Sequence, residues 1–299
     1  MYEQKKIKVF VINLRRSLER RKDVSKKLDD AGIEYEFFEG VDGTELNQDF
    51  LEKVHSHSLD EIRSYGRKML PGEIGAAMSH LNVYRKIRSD KIDLALVLED
   101  DIEFDKKLAK LINDKKNCED ALKNFELILL GYCVPDLNYK KAAECSFWGR
   151  TSVKSICRFG IPVKWYWAAI GYFIKYEAAL KLLEGNEFPK VQADYLTANS
   201  PAYGIRLGVS MKPLIWPGKL NETSTIGERV SSYPDMKTIS TGKVKSTINT
   251  VLRKINAHGS LLKFYNLIRK PYLKLKDQIN LLQLKVSLKK YQFINKEPH

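Results

Sequence analysis

The stretch LVLEDDIEF, residues 96–104, ends a run of aliphatic residues in three consecutive acids, Glu99, Asp100 and Asp101. Adjacent carboxylates make one another's ionisation costly unless a cation lies among them. Side chains alternate along a strand, so Glu99 and Asp101 are expected on one face and Asp100 on the other. Acids at the carboxyl end of a buried strand stand where α/β sheets bind ligands. Hard oxygen donors of this kind suit Mn2+ or Mg2+, ions that also take phosphate oxygens. A solvated strand end, with one acid capping the next helix, accounts for the same residues without any ligand.

Other residues could share such a site. Arg15, Arg16, Arg20 and Arg21 follow the first strand, where guanidinium groups could meet a diphosphate; the alternative is the basic face of an ordinary helix. Asp194, in VQADYL, is placed to serve as a general base or to cap a helix. Ser79 and His80 are neighbours, and adjacent residues on a helix do not face each other, so they make no hydrolase triad. His80 reads as a hydrogen-bonded, partly buried residue near a site. His55 and His57 in HSH could bind a metal from one strand face, but no third ligand lies nearby. A phosphate-binding G-x-x-x-x-G-K-[ST] motif is absent, as is a G-x-G-x-x-G after the first strand, which disfavours P-loop and dinucleotide sites.

The elements that must position these residues follow from hydrophobic periodicity. KIKVFVINL (6–14) is a buried strand, and the segment after it is a helix with Ser17 at its start and Gly32 at its end. IEYEFFEGVDG is a second strand with a turn at Asp42-Gly43, so the chain opens β–α–β and the fold class is α/β with a mainly parallel sheet. LPGEIGAAMSHLNVYRKI is helical with Pro71 in its first turn. DLALVLEDD and FELILLG are strands and KKLAKLIND a short helix. WYWAAIGYFI is a strand or strand pair, KYEAALKLL a helix and KPLIWP a late strand. Residues 44–70 are ambiguous, and 132–158 read as a long loop.

Of 299 residues, 43% are hydrophobic, enough for a sizeable core. The net charge of +14 is uneven. Residues 237–299 hold fourteen Lys/Arg against two acids, while residues 1–236 hold 37 bases and 35 acids. The expected division is a catalytic-type domain over 1–236 and a basic, amphipathic, α-helical tail over 237–299, with Ile248, Val251, Leu252 and Ile255 on one helical face. Cys118, Cys133, Cys145 and Cys157 match no zinc spacing and are expected as reduced thiols. The N-terminal segment reads as lacking a signal peptide, and no run reaches the ~18 apolar residues of a membrane span.

Taken in order, VFVINLRRSLERR, FFEGVDG, LPGEIGAAMSHLNVYRKI, LALVLEDDIEF, WAAIGYFI…EAALKLL, ADYL and KPLIWP resemble glycosyltransferase family 25 over roughly residues 7–230. The resemblance implies a GT-A-like, Rossmann-type domain, a nucleotide-sugar donor (UDP-galactose most often), dependence on Mn2+ or Mg2+, and inversion at the anomeric carbon. It carries over Glu99 and Asp101 as metal ligands and Asp194 as the carboxylate of the Asp-aromatic motif, expected to act as the catalytic base. Asn13, Arg15, Arg20, Asp42, Glu73, His80 and Asp100 are carried over as donor-binding positions. The chain departs from the family pattern at Ala76, where many members have cysteine, and at Lys175, where many have serine. Trp148, Trp165, Tyr166 and Trp167 are candidates for stacking on acceptor sugars, with core packing as the alternative.

The expected function is transfer of galactose or a related hexose to a lipooligosaccharide or LPS-type glycan. The expected location is cytoplasmic, at the inner face of the bacterial cytoplasmic membrane, with the tail on its anionic surface. No nucleic-acid partner is expected. Two alternatives stay open: a metal-dependent sugar-nucleotide nucleotidyltransferase, and a non-enzymatic basic adaptor for membrane or nucleic acid.

Overall fold

A computed structural model describes residues 7–57, 68–133, 140–167, 169–184 and 186–218. The basic tail expected over 237–299 lies outside the described residues.

The chain begins β1 (Lys8–Asn13), α1 (Leu18–Asp30), β2 (Glu36–Glu39), a 3-10 turn (Gly43–Glu45) and α2 (Gln48–His57). After α3 (Pro71–Ser89) come β3 (Leu94–Glu99), β4 (Ile102–Phe104), α4 (Lys107–Ile112), α5 (Lys115–Ala121) and β5 (Leu127–Leu129). Then follow β6 (Thr151–Val153), β7 (Cys157–Gly160), β8 (Gly171–Lys175), α6 (Tyr176–Glu184), α7 (Ala193–Ala198), β9 (Leu207–Ser210) and β10 (Ile215–Pro217). Eight strands form one sheet in the order β2-β1-β3-β8-β5-β9-β7-β6, and β4 pairs with β10 separately. Taken through the pairings, six of the eight strands run one way, with β8 and β7 reversed. The fold is α/β with a mainly parallel central sheet, as expected.

The sheet is covered on both faces, which is why its strands read as nearly continuous apolar runs. On one face Phe10, Ala95 and Val97 pack with Leu81, Tyr84 and Ile87 of α3 and Leu182 of α6. On the other, Val9, Val11, Leu96 and Leu98 pack with Val24 and Leu28 of α1 and with Leu108 and Leu111 of α4. The alternation along β1 and β3 sorts their side chains between the two layers.

The helix ends were partly legible. Gly32 has φ +64, and the Gly32 and Ile33 amides donate to the carbonyls of Asp29 and Leu28, the paired bonds that close a helix on a left-handed glycine. Ser17 stands at the start of α1 but its side chain caps nothing. Three readings are corrected. HSH lies on α2, not on a strand: His55 Nε2 is 3.1 Å from the Met69 carbonyl, and the His57 ring lies 5.6 Å from Phe188. Residues 132–158 are not all loop, because β6 and β7 form a hairpin turned at Ser155, φ 59. WYWAAIGYFI is strand only from Gly171, since the reach of β8 is set by its pairing with β3.

Candidate active site

Strand β1 leads through α1 to β2 on one side, while β3 is laid against β1 on the other. The reversal makes a switch point between β1 and β3, where the strands' carboxyl ends open a crevice for ligands. Asn13 ends β1 and Glu99 ends β3, so the sequence candidates from both strands meet there.

The geometry around the acids differs from simple alternation. Glu99 continues the layer of Ala95 and Val97 and turns toward α3, with Oε1 3.7 Å from His80 Nε2. Asp100 continues the other layer and meets α1. Strand β3 stops at Glu99, so Asp101 is freed from alternation and joins Asp100. Arg20 Nη1 lies 3.3 Å from Asp100 Oδ1 and 3.0 Å from Asp101 Oδ2. Asn13, 2% exposed, donates from Nδ2 to Asp100 Oδ2 at 2.7 Å. Asp101 thus shares Arg20 with Asp100, while Glu99 turns toward His80. Burial, offset in part by the Asn13 bond and reinforced by the Asp101 charge, raises the Asp100 carboxyl above its usual range.

The arginines sort themselves by helix geometry. Arg20 faces the acids, and Arg21 Nη1 lies 3.5 Å from Asn13 Oδ1 while its guanidinium stacks 3.8 Å over Phe37. Arg16, not Arg15, pairs with Asp42. Arg15 is exposed and pairs with Glu39, so the structure does not bring it to the acids. Asp42 accepts from the Thr44 amide at 3.0 Å and from its hydroxyl at 2.7 Å. Burial works against ionisation there, but the Thr44 bonds and Arg16 prevail and hold the Asp42 carboxyl below its usual range.

The VDG turn is clamped onto the start of α3. A Cβ on Gly43 would lie 1.9 Å from the Pro71 carbonyl oxygen, and one on Gly75 2.6 Å from that of Val41. Ser79 Oγ accepts from the Val41 amide at 2.8 Å and donates to the Gly75 carbonyl at 2.7 Å, so its role is to hold this joint. Glu73 accepts from the Leu70 amide at 2.7 Å and from Gln192 Nε2 at 2.6 Å. It caps α3 and ties that helix to α7, whose first turn carries Asp194. Gln192 carried no signal in the sequence.

His80 is 1% exposed, and its pKa is lowered to about 4 by burial, with the nearby Asp194 charge acting in the opposite direction. The imidazole is therefore neutral at physiological pH. Trp165, Trp167 and Tyr195 form one aromatic cluster, with ring centroids 5.5 to 6.2 Å apart, and the buried Trp165 Nε1 has no hydrogen-bond partner among the described residues. Tyr166 is instead core, accepting from the Glu144 amide. Trp148 packs on Phe147.

The donor chemistry fits a divalent cation in kind: two adjacent carboxylates suit a hard ion that completes its shell with water and phosphate. Among the described residues no three His, Cys, Asp or Glu side chains gather as a metal site. Arg20 holds the two carboxylates, and a cation would share or displace that contact.

The family model for glycosyltransferase family 25 (LPS biosynthesis protein) matches residues 6–197, well over half the chain. The chain belongs to this family. Procollagen galactosyltransferase 2 of Homo sapiens is 30% identical over 61% of this chain and 28% of its own length. A glycosyltransferase 25 family member of Drosophila melanogaster is 30% identical over 62% of this chain and 29% of its own. The chain thus spans under a third of the length of these two relatives. Among solved structures, mannose-1-phosphate geranyltransferase from Thermus thermophilus matches at 13% identity over 71% of this chain and 76% of that chain, with a TM-score of 0.36. The match to the family-25 model ends at 197, so it takes in every candidate residue named above, Asp194 included.

Proposed function

We propose that this family-25 chain transfers galactose, or a related hexose, from a UDP-sugar to a lipooligosaccharide or LPS-type glycan, with inversion. The observation that carries the reading is the meeting of Asn13, Arg20, Asp100 and Asp101 at the β1–β3 switch point. Family membership and the galactosyltransferase name of the human relative support the reaction class.

Asp100 and Asp101 are the residues that would hold Mn2+ or Mg2+, with Glu99 beside them. The ion supplies Lewis-acid stabilisation of the charge that develops on the leaving diphosphate. Arg20 keeps the two carboxylates together, and Asn13 orients Asp100. Arg16 holds Asp42 at the rim, where its carboxylate can accept from donor hydroxyls. Asp194, on the helix tied to α3 through Gln192 and Glu73, takes the proton of the acceptor hydroxyl as that oxygen attacks the anomeric carbon. The Trp165–Trp167–Tyr195 cluster adjoins Asp194 in sequence and is the surface on which an acceptor ring would stack.

The basic tail is proposed to hold the enzyme on the anionic inner face of the bacterial cytoplasmic membrane, each Lys or Arg near the lipid adding ~1 kcal/mol. Binding to anionic but not neutral vesicles, lost on removal of residues 237–299, is the expected result.

Hydrolysis of a panel of UDP-sugars tests the donor reading without any acceptor. Wild type should turn over UDP-galactose slowly with Mn2+, and Asp101→Ala should not. Turnover of another UDP-sugar would change the donor and keep the chemistry. Absence of both turnover and metal-dependent UDP binding would refute the transferase reading.

A further inference from the structure

Three polar aromatic side chains form a hydrogen-bonded row inside the apolar layer between the sheet and α3. Tyr84 and Tyr172 are 0% exposed and His80 1%. Tyr84 and His80 lie one turn apart on α3, so both face β8, which carries Tyr172. The Tyr84 hydroxyl is 2.8 Å from that of Tyr172, which is 2.8 Å from His80 Nδ1. The His80 ring stacks on Tyr172 at 5.7 Å, and its Nε2 lies 3.7 Å from Glu99 Oε1.

The direction of this row follows from counting protons. Tyr84 carries one O–H, and among the described residues its hydroxyl has no other hydrogen-bond partner. A buried O–H left without an acceptor has given up its hydration with nothing in return. The Tyr84 proton therefore goes to the Tyr172 oxygen. The Tyr172 proton must then point to His80 Nδ1, which can accept it only if that nitrogen is unprotonated. The reverse order, His80 Nδ1–H to Tyr172 to Tyr84, leaves the Tyr84 proton unpaired.

We propose that Tyr172 is a positioning residue: its hydroxyl, polarised by Tyr84, keeps the His80 proton on Nε2, so that an N–H donor faces Glu99 at the end of β3. A neutral N–H there faces Glu99 across 3.7 Å and adds no positive charge that would compete with a cation at Asp100 and Asp101. The row is anchored in the packed core and not in a loop, so it holds His80 in one orientation while the crevice fills and empties. Its effect on turnover rests on the transferase reading; its proton order does not.

The test is 15N NMR of histidine-labelled protein, with His80 assigned by His80→Gln, together with donor hydrolysis. In the wild type, His80 should show a protonated Nε2 and an unprotonated, hydrogen-bonded Nδ1. Tyr172→Phe should move the Nδ1 resonance to that of an unbonded nitrogen. In the same variant kcat for UDP-galactose hydrolysis should fall about tenfold with KM unchanged, a loss of the size seen when the hydrogen-bond partner of a site residue is removed. A wild-type spectrum with the proton on Nδ1 overturns the inference, and this readout stands even if the variant fails to fold. Unchanged kcat in a folded Tyr172→Phe, beside normal wild-type turnover, also overturns it. Absence of turnover in the wild type counts instead against the transferase reading, and the spectrum still decides the proton order.

Discussion

Replacing Arg20 by methionine removes the guanidinium from Asp100 and Asp101 while keeping an apolar stem. Arg20 Nη1 lies 3.3 and 3.0 Å from the two carboxylates, and the three side chains are 9 to 12% exposed. At an effective dielectric of about 20, each contact is worth about 5 kcal/mol before desolvation. Removing one partner of a buried group and leaving the other charged costs about 3–5 kcal/mol. The residual exposure favours the lower end, about 3 kcal/mol. In a domain of this size each kcal/mol moves Tm by about 2–4 °C, so Arg20→Met should melt about 6–12 °C lower in EDTA. Bare adjacent carboxylates are also a better cation site than guanidinium-bound ones. A divalent ion at a hundredfold excess over its Kd stabilises the native state by about 2.7 kcal/mol. Mn2+ should therefore restore much of the lost stability in the variant and shift the wild type less. Thermal melts of both proteins in EDTA and in Mn2+ decide the matter. A variant that melts within about 1 °C of wild type, or equal Mn2+ shifts in both proteins, would refute the view that Arg20 and a cation share these two acids.

Two further outcomes are expected. Gly43→Ala should cost more than about 3 kcal/mol in chemical denaturation, because its Cβ would stand 1.9 Å from the Pro71 carbonyl and backbone must move on both sides of the joint. His80 has a folded pKa of about 4 against 6.5 unfolded, so below pH 6.5 the unfolded chain takes a proton that the folded one refuses. That contribution is absent above pH 6.5 and complete near pH 4. The stability of wild type relative to His80→Gln should thus fall by about 3 kcal/mol between pH 7 and pH 4, and parallel urea-denaturation curves across that range would contradict it.

The α/β class, the β–α–β opening, α3 and the strand ending in three acids were written in local periodicity, because a sheet covered on both faces demands unbroken apolar runs whatever lies beyond them. Gly32 announced the end of α1 for a reason equally local, its left-handed backbone. The short β6–β7 hairpin and β9 left no such mark, since a strand of three or four residues is chosen by its neighbours in the sheet.

Composition and order also named the residues that meet at the β1–β3 switch point, but not their pairing. Alternation along β3 sends Glu99 toward α3 and Asp100 toward α1, and it fails at Asp101 because the strand ends at Glu99, two residues before it. Which of four arginines meets the acids was decided by the docking of α1: Arg20 turns inward to Asp100 and Asp101, Arg16 reaches Asp42, and Arg15 is left at the surface. The link from Glu73 through Gln192 to the helix of Asp194 spans 119 positions of chain, and the row of Tyr84, Tyr172 and His80 joins α3 to β8. Residue types and short-range order come from the sequence. Contacts between side chains that far apart are set only when helices settle on a sheet, because the distances that decide a hydrogen bond are tertiary ones.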